Sequence, residues 1–202
     1  PGMPNVQVFR NGNSTTHVFT SSHAGPPSMI TKNIEITFEQ SYSGCSIPVE
    51  IEKWIQHNDK KEPLVEIVQL EISEGVNHNE KIIVNGIGNQ NQHGKGNVQF
   101  IIQVKNNTIF KRQNLNLLCD KKISLKEALC GFSFEFVHVS GKKLSVNNNN
   151  PITIIKDGQI QVFKGLGMKD KNNTGDIIFK FHVIFPVELT DTQRTHLLEG
   201  LP

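Results

Sequence analysis

The feature that most constrains this chain is an order of motifs that occurs twice. A Ser/Thr-x-x-Glu/Gln sequence that runs to a glycine occupies residues 37–44 and again 124–131. Further along each half, a Gly-x-Gly turn at Gly86 or Gly165 precedes an alternating apolar segment. A repeat of roughly 80 residues is a duplicated domain rather than a solenoid. We therefore predict two small domains in tandem.

Apolar residues alternate with polar ones along both halves, which is typical of half-buried strands. The clearest runs are residues 34–38, 47–51, 68–72, 98–104, 132–136 and 177–185. The predicted fold class is mainly β, with two tandem small β-sandwich-like domains, short helices and a C-terminal helix. A chain of 202 residues can bury two such cores without disulfides.

Three capping boxes predict three short helices, which start near Thr37, Ser124 and Thr190. Residues 1–29 are rich in Gly, Pro, Ser and Asn and predict a linker or partly ordered arm. The predicted ranges are 30–112 for the first β domain, 113–188 for the second and 189–202 for the last helix. This last helix must bury its leucines against the second domain or against a partner subunit.

Composition excludes several function classes. A net charge of +2 without a basic stripe argues against nucleic acid, and no apolar run is long enough for a membrane helix. Three cysteines without a C-x-x-C pair favour the reducing cytoplasm and argue against a disulfide framework. The scattered histidines and the incomplete Gly-x-Gly motifs predict no metal, no cofactor and no enzyme. Peptide binding on strand edges is the activity that remains.

The chain also resembles a known family. The segments that carry the resemblance are ITFEQSYSGC, LEISEGVNHNEKIIVNGIG, IFKRQNLNL, ISLKEALCGF, FKGLGMKD, TGDIIFKFHVIFP and LTDTQRTHLLEGLP. Their order is similar to that of the C-terminal substrate-binding region of DnaJ-type co-chaperones, the J-proteins. Because residues 45–98 contain no repeated C-x-x-C-x-G-x-G, the chain resembles the zinc-less class.

The resemblance implies a co-chaperone that binds unfolded or partly folded client polypeptides and presents them to a DnaK-type heat-shock chaperone. It also implies a homodimer formed through the last helix, for which we predict contacts by Leu197, Leu198 and Leu201. Carried over by position, the peptide-binding residues are Ile34, Ile47, Val49, Glu50, Ile51 and Phe100. Phe110 and Arg112 match a segment that we interpret as structural, linking the two domains.

Glu50 departs from the pattern of the family. The resemblance implies that these residues line a shallow apolar depression, which also receives the acidic C-terminal tail of the DnaK-type partner. Relatives carry lysines after the position of Gly44, where this chain has residues 45–48, Cys-Ser-Ile-Pro, and then Glu50 in place of another lysine. A carboxylate there repels an acidic tail, so we predict weakened tail binding. The alternative hypothesis is a non-catalytic interaction protein that recognises a specific partner peptide through the same strand. Preference for a basic peptide over generic clients would favour that alternative.

Overall fold

The computed structural model describes residues 6–11, 14–19, 25–57 and 60–201, the first two segments as backbone alone. In chain order the strands are β1 (Val6–Asn11), β2 (Ser14–Phe19), β3 (Ile30–Thr37), β4 (Cys45–His57), β5 (Lys60–Ile72), β6 (Lys81–Val84), β7 (Gln90–Asn91), β8 (Gly94–Lys95), β9 (Val98–Lys105), β10 (Lys111–Gln113), β11 (Asn116–Ser124), β12 (Ser133–Val137), β13 (Lys143–Asn147), β14 (Ile160–Phe163) and β15 (Ile177–Ile184). The helices are α1 (Phe38–Ser43), α2 (Leu125–Cys130) and α3 (Asp191–Gly200). The predicted mainly β fold class is confirmed.

The chain divides into two compact units whose segments alternate along the sequence. Unit 1 contains the described residues up to Ile34, together with Ile47–Leu70 and Asn79–Ile102. Unit 2 contains Glu35–Ser46, Glu71–His78 and the described residues from Gln103 onward. The predicted ranges 30–112 and 113–188 are continuous, so they differ from these units and stay a prediction. The arm predicted for residues 1–29 lies partly outside the described residues, and β1 and β2 pair antiparallel within it.

Unit 1 contributes to two sheets, with strand orders β3-β9-β6 and β5-β4-β7-β8. Side chains alternate across each strand, so every second residue faces the same side. Val98, Phe100 and Ile102 of β9 are all fully buried, whereas the residues between them are half-exposed. The residues that alternation predicts to be buried in β9 are therefore the buried ones.

Unit 2 is built on a sheet of order β10-β11-β15-β14, in which β11 and β15 run parallel. Its core is aromatic: the ring of Phe179 lies 5.3 Å from that of Phe136 and 6.4 Å from that of Phe110. Edge-to-face ring pairs of this kind stabilise beyond their buried area. Phe38 belongs to the same core. This explains why residues 35–46 fold with unit 2.

All three predicted helices are confirmed, each with a complete capping box. In α1 the Gln40 N–H donates to Thr37 Oγ1 at 3.1 Å, and the Thr37 N–H donates to the Gln40 side chain at 2.8 Å. In α2 the N–H and hydroxyl of Ser124 donate to Glu127, and these hydrogen bonds lower the pKa of that carboxyl. The strand predicted over residues 34–38 ends at Thr37, because the cap directs Phe38 into α1.

Arg112 connects distant segments of unit 2. Its guanidinium donates to the carbonyl oxygens of Gly75 and Val76, each at 2.7 Å, and to Ser41 Oγ at 3.3 Å. Ser41 is fully buried and donates in turn to the Val76 carbonyl at 2.8 Å. Charge-assisted hydrogen bonds to buried acceptors are among the stronger polar contacts in proteins. All of these contacts lie within unit 2, so the predicted role of Arg112 in linking the two domains stays a prediction.

Candidate functional site

Strand β4 carries four of the six residues predicted to bind peptide. Ile47, Val49 and Ile51 share one face of β4 by alternation, and the side chain of Glu50 lies on the opposite face. Ile47 is half-buried, Glu50 is exposed, and Val49 and Ile51 are buried. A peptide therefore has direct access to Ile47 and Glu50 in this structure.

The other two predicted residues lie on adjacent strands of the neighbouring sheet. Ile34 belongs to β3 and Phe100 to β9, and both side chains are buried in unit 1. Phe100 is 0% exposed and Ile51 is 1% exposed, so both are core residues here. Contact between a client and these four buried side chains stays a prediction.

One side of β4 has an unpaired main chain. In the order β5-β4-β7-β8, the two-residue strand β7 pairs with β4 only at Ile55, opposite Gln90. Within the described part of unit 1, residues 47–53 of β4 therefore have a strand neighbour only in β5. Unpaired N–H and C=O groups at a strand edge accept an extended peptide as an added strand.

Lys32 lies beside this unpaired edge, and the sequence reasoning missed it. Its Nζ donates to the main-chain carbonyl oxygen of Glu50. Lys32 lies on β3, whereas the departure from the lysines of relatives concerns residues after Gly44, on β4. The sequence does place Lys32 two residues before Ile34, and this spacing puts both side chains on one face of β3. The ammonium group of Lys32 therefore lies at β4, next to Glu50, the residue that carries the negative charge.

The outward face of the hairpin formed by β4 and β5 is a second feature that the sequence reasoning missed. Val65 and Ile67 are 59% and 65% exposed. Lys61 Nζ lies 4.1 Å from the centre of the Trp54 ring. On the opposite face of β5, Glu66 pairs with Lys53. Val65 and Ile67 occupy odd positions of β5, whereas the buried Leu70 and Ile72 occupy even positions. This difference is visible in the sequence and indicates that Val65 and Ile67 face away from the core.

The cysteines with raised pKa values are poor nucleophiles. Burial, and then the charge of Glu71, raises the pKa of the Cys45 thiol. Burial, and then the charge of Asp120, raises the pKa of Cys119. A reactive cysteine needs the opposite shift, which favours the thiolate.

The residues predicted to dimerise are accessible on α3. Leu198 is 78% exposed, Leu201 is 51% exposed and Leu197 is half-buried. Leu197 also lines a cleft of about 570 Å³, together with Leu125 and Leu129 of α2 and Phe185 after β15. The cleft and the exposed leucines are compatible with a helix interface, and dimerisation stays a prediction.

Comparison with known proteins decides the family. The model of the DnaJ C terminal domain matches residues 30–186. The chain belongs to the DnaJ C-terminal domain family. The resemblance drawn from its motifs is thereby confirmed, while its place in the zinc-less class stays a prediction. None of the helices in the described parts of this DnaJ C-terminal region is long and apolar enough to cross a membrane.

Protein psi1 and several proteins with DnaJ names are similar to this chain. Protein psi1 of Schizosaccharomyces pombe is 29% identical over 211 residues, which cover 96% of this chain and 55% of that protein. DnaJ homolog subfamily A member 2 of Homo sapiens is 33% identical over 126 residues, covering 60% and 30% respectively. DnaJ protein homolog 1 of Drosophila melanogaster is 27% identical over 181 residues, covering 88% and 53%. This DnaJ C-terminal region thus spans about half, or less, of the length of these relatives.

Proposed function

We propose that this DnaJ C-terminal region is a non-enzymatic co-chaperone module that binds extended apolar segments of unfolded clients. In the cytoplasm it presents them to a DnaK-type heat-shock chaperone. The observation that carries this proposal is the unpaired edge of β4 beside the half-buried Ile47. Membership of the DnaJ family supports the chaperone role.

The client adds to β4 as an extended strand. Its main chain pairs with the edge at residues 47–53, except at Pro48, which has no N–H, and at the Glu50 carbonyl, which accepts from Lys32. Every second side chain of the client contacts the apolar face that begins at Ile47. Each such hydrogen bond contributes a net ~1 kcal/mol, so a short segment binds weakly and without strict sequence preference. Weak sites suit a protein that must release many different clients.

Two copies of the module strengthen this weak binding. We propose a homodimer through Leu197, Leu198 and Leu201, which places two client sites on one particle. A second site engaged by the same client raises its apparent affinity by ~100-fold or more when the geometry permits. Removal of residues 189–202 is expected to give monomers in sedimentation velocity, with folded β structure by circular dichroism. A truncated chain that remains dimeric contradicts the assignment to α3.

The client site is tested at Ile47, because serine at Phe100 or Ile51 would create a polar cavity costing several kcal/mol. We expect Ile47→Ser to weaken binding of a fluorescein-labelled apolar peptide by about fivefold, since burial of one aliphatic side chain is worth ~1 kcal/mol or more. Ile154→Ser is the matched control, because Ile154 is 63% exposed in unit 2. Equal anisotropy titrations for Ile47→Ser and the wild type would refute the site.

The charge at Glu50 tests which partner the site prefers. A peptide ending in Glu-Glu-Val-Asp is expected to bind more weakly than the apolar client peptide, and Glu50→Lys is expected to strengthen it by about fivefold. If a basic peptide binds wild type better than the apolar client does, the module is instead an interaction protein for a specific partner. Glu50 is the residue that favours this second reading, because it is exposed on β4.

A further inference from the structure

The sheet of unit 2 has a second face, opposite the aromatic core. On β15 the core residues Phe179 and Phe181 alternate with Ile178 and Lys180, whose side chains lie on the other side. We call this side the outer face of unit 2. It is formed by the alternate residues of β11, β14 and β15. Leu118 and Ile178 are half-buried there, whereas Ile160 and Val162 are exposed.

Apolar residues form a continuous row across three strands of the outer face. Ile178 of β15 lies opposite Val162 of β14 on one side and Leu118 of β11 on the other. Neighbouring strands are ~4.8 Å apart, so these side chains are adjacent. Val162 is 48% exposed and its neighbour Ile160 is 59% exposed. Single exposed apolar residues are ordinary, whereas a row across a sheet marks a binding surface.

Lysines border this row. Lys180 lies opposite Ile160 across the β14/β15 ladder, and Lys164 follows directly after β14; both are exposed. Among the described residues, two carboxylates also lie here: Asp120, directly opposite Lys180 in the β11/β15 ladder, and Asp176, which precedes β15 and accepts from the Gly165 N–H. Asp120 is engaged by Lys111 at 3.5 Å and by His182 at 3.2 Å. The exposed lysines of this face, Lys111, Lys122, Lys164 and Lys180, outnumber the two carboxylates, so the border is positively charged.

The apolar row ends at an unpaired strand edge. β14 is the last strand in the order β10-β11-β15-β14. The Phe181 N–H donates to the Gln159 carbonyl at 2.9 Å, so hydrogen-bonded pairs with β15 fall at alternate residues of this strand. The main-chain groups of Ile160 and Val162 therefore point away from β15, toward the free side.

We propose that this edge and the outer face bind an acidic, apolar extended peptide segment. Its main chain pairs with β14, its apolar side chains cover Ile160 and Val162, and its carboxylates pair with Lys164 and Lys180. The lysines complement acidic peptides and repel basic ones, while the strand edge requires a peptide main chain. An anionic membrane would use the lysines but leave the β14 hydrogen bonds unmade. This site is in unit 2 and does not depend on client binding at β4.

The test uses the full chain and a fluorescein-labelled peptide of alternating valine and glutamate. The matched control peptide alternates valine and lysine. We expect the acidic peptide to bind at least tenfold more tightly in anisotropy titrations at low salt, with the difference falling as salt rises. Methylation of the peptide nitrogens that face β14 is expected to abolish binding. Equal affinity for the methylated peptide or for the basic peptide would overturn the proposal.

Variants locate the binding surface. Lys164→Glu combined with Lys180→Glu is expected to weaken the acidic peptide by at least tenfold, because two attractive contacts become repulsive. The control is Lys142→Glu with Lys171→Glu, two exposed lysines elsewhere in unit 2, with less than twofold loss expected. Ile47→Ser is expected to leave acidic-peptide binding unchanged, which separates this site from that on β4. If the Lys164/Lys180 variant loses binding only to phosphatidylserine vesicles and keeps the peptide, the surface is a lipid site and the proposal is wrong.

Discussion

The Gly-x-Gly turns of units 1 and 2 have the same hydrogen bonds despite different chemistry. The Gly86 N–H donates to Asn97 Oδ1 at 3.1 Å, and the Gly165 N–H donates to Asp176 Oδ1 at 2.8 Å. An amide oxygen and a carboxylate oxygen thus close equivalent turns. The turn requires a side-chain acceptor at this position, and it does not require a charge.

The two turns differ in the space around a later glycine. A methyl group on Gly175 would lie 2.1 Å from the carbonyl oxygen of Leu115, far closer than the van der Waals contact of a carbon and an oxygen atom. The same group on Gly96 would lie 3.0 Å from the carbonyl oxygen of Pro27. Backbone atoms cannot move aside as a flexible side chain can. The duplicated motif is therefore much less tolerant in unit 2.

The largest expected effect is the loss of stability caused by alanine at Gly175, compared with alanine at Gly96. Gly175→Ala is expected to destabilise unit 2 by about 3 kcal/mol or more, because a backbone overlap of this size forces the strand away. Gly96→Ala, the matched change in unit 1, is expected to cost about 1 kcal/mol. Urea midpoints from far-ultraviolet circular dichroism measure both, and the fluorescence of Trp54 follows unit 1 separately. Similar losses for the two variants would show that the turns are equally packed.

An intermediate effect is expected at Asp176, the side-chain acceptor in the turn of unit 2, and it tests whether that acceptor must be charged. Asp176→Ala is expected to lose about 1 kcal/mol of unfolding free energy, because the Gly165 N–H loses its acceptor. Asp176→Asn restores the chemistry of Asn97 and is expected to stay within about 0.5 kcal/mol of wild type. The same urea titrations decide the point. If Asn is as damaging as Ala, the charge matters and the two turns are not equivalent.

The smallest effect compares the caps of α1 and α2, one neutral and one ionised. Since the pKa of Glu127 is lowered on folding, its contribution is present above the unfolded pKa and is lost as the pH falls through the folded one. Glu127 is largely solvent-exposed, so screening limits the effect to about 0.5 kcal/mol.

The measurement is the difference in unfolding free energy between pH 6 and pH 3. Glu127→Gln is expected to reduce this difference slightly relative to wild type. Gln40→Glu should add a dependence of the same sign, because it gives α1 the ionisable cap of α2. An unchanged pH dependence in both variants would show that neither cap carboxylate is coupled to folding.

Local rules predicted the elements well and their assembly less well. Alternation and capping boxes depend on neighbouring residues, so they identified β9, β15 and all three helices. The interleaving of the units depends on contacts between distant segments, such as Phe38 in the core of unit 2. No pattern of spacing contains that information.

The candidate site residues stay a prediction. The structure places Ile47 and Glu50 on an accessible strand. The depth of Phe100 and Ile51 depends on how the sheets pack, and alternation cannot distinguish a core face from a binding face. Lys32 was missed because its partner is a main-chain carbonyl, which no residue type in the sequence reveals.

The contacts of Arg112 have a consequence for synthesis on the ribosome. Its acceptors at Ser41, Gly75 and Val76 leave the exit tunnel well before Arg112 itself. The residues of unit 1 between them can fold while the two flanking segments still lack their partners. These segments then present an exposed Phe38 and unsatisfied carbonyl groups to solvent until the second half of the chain is made. During that interval the nascent chain itself has the exposed apolar surface that chaperones recognise.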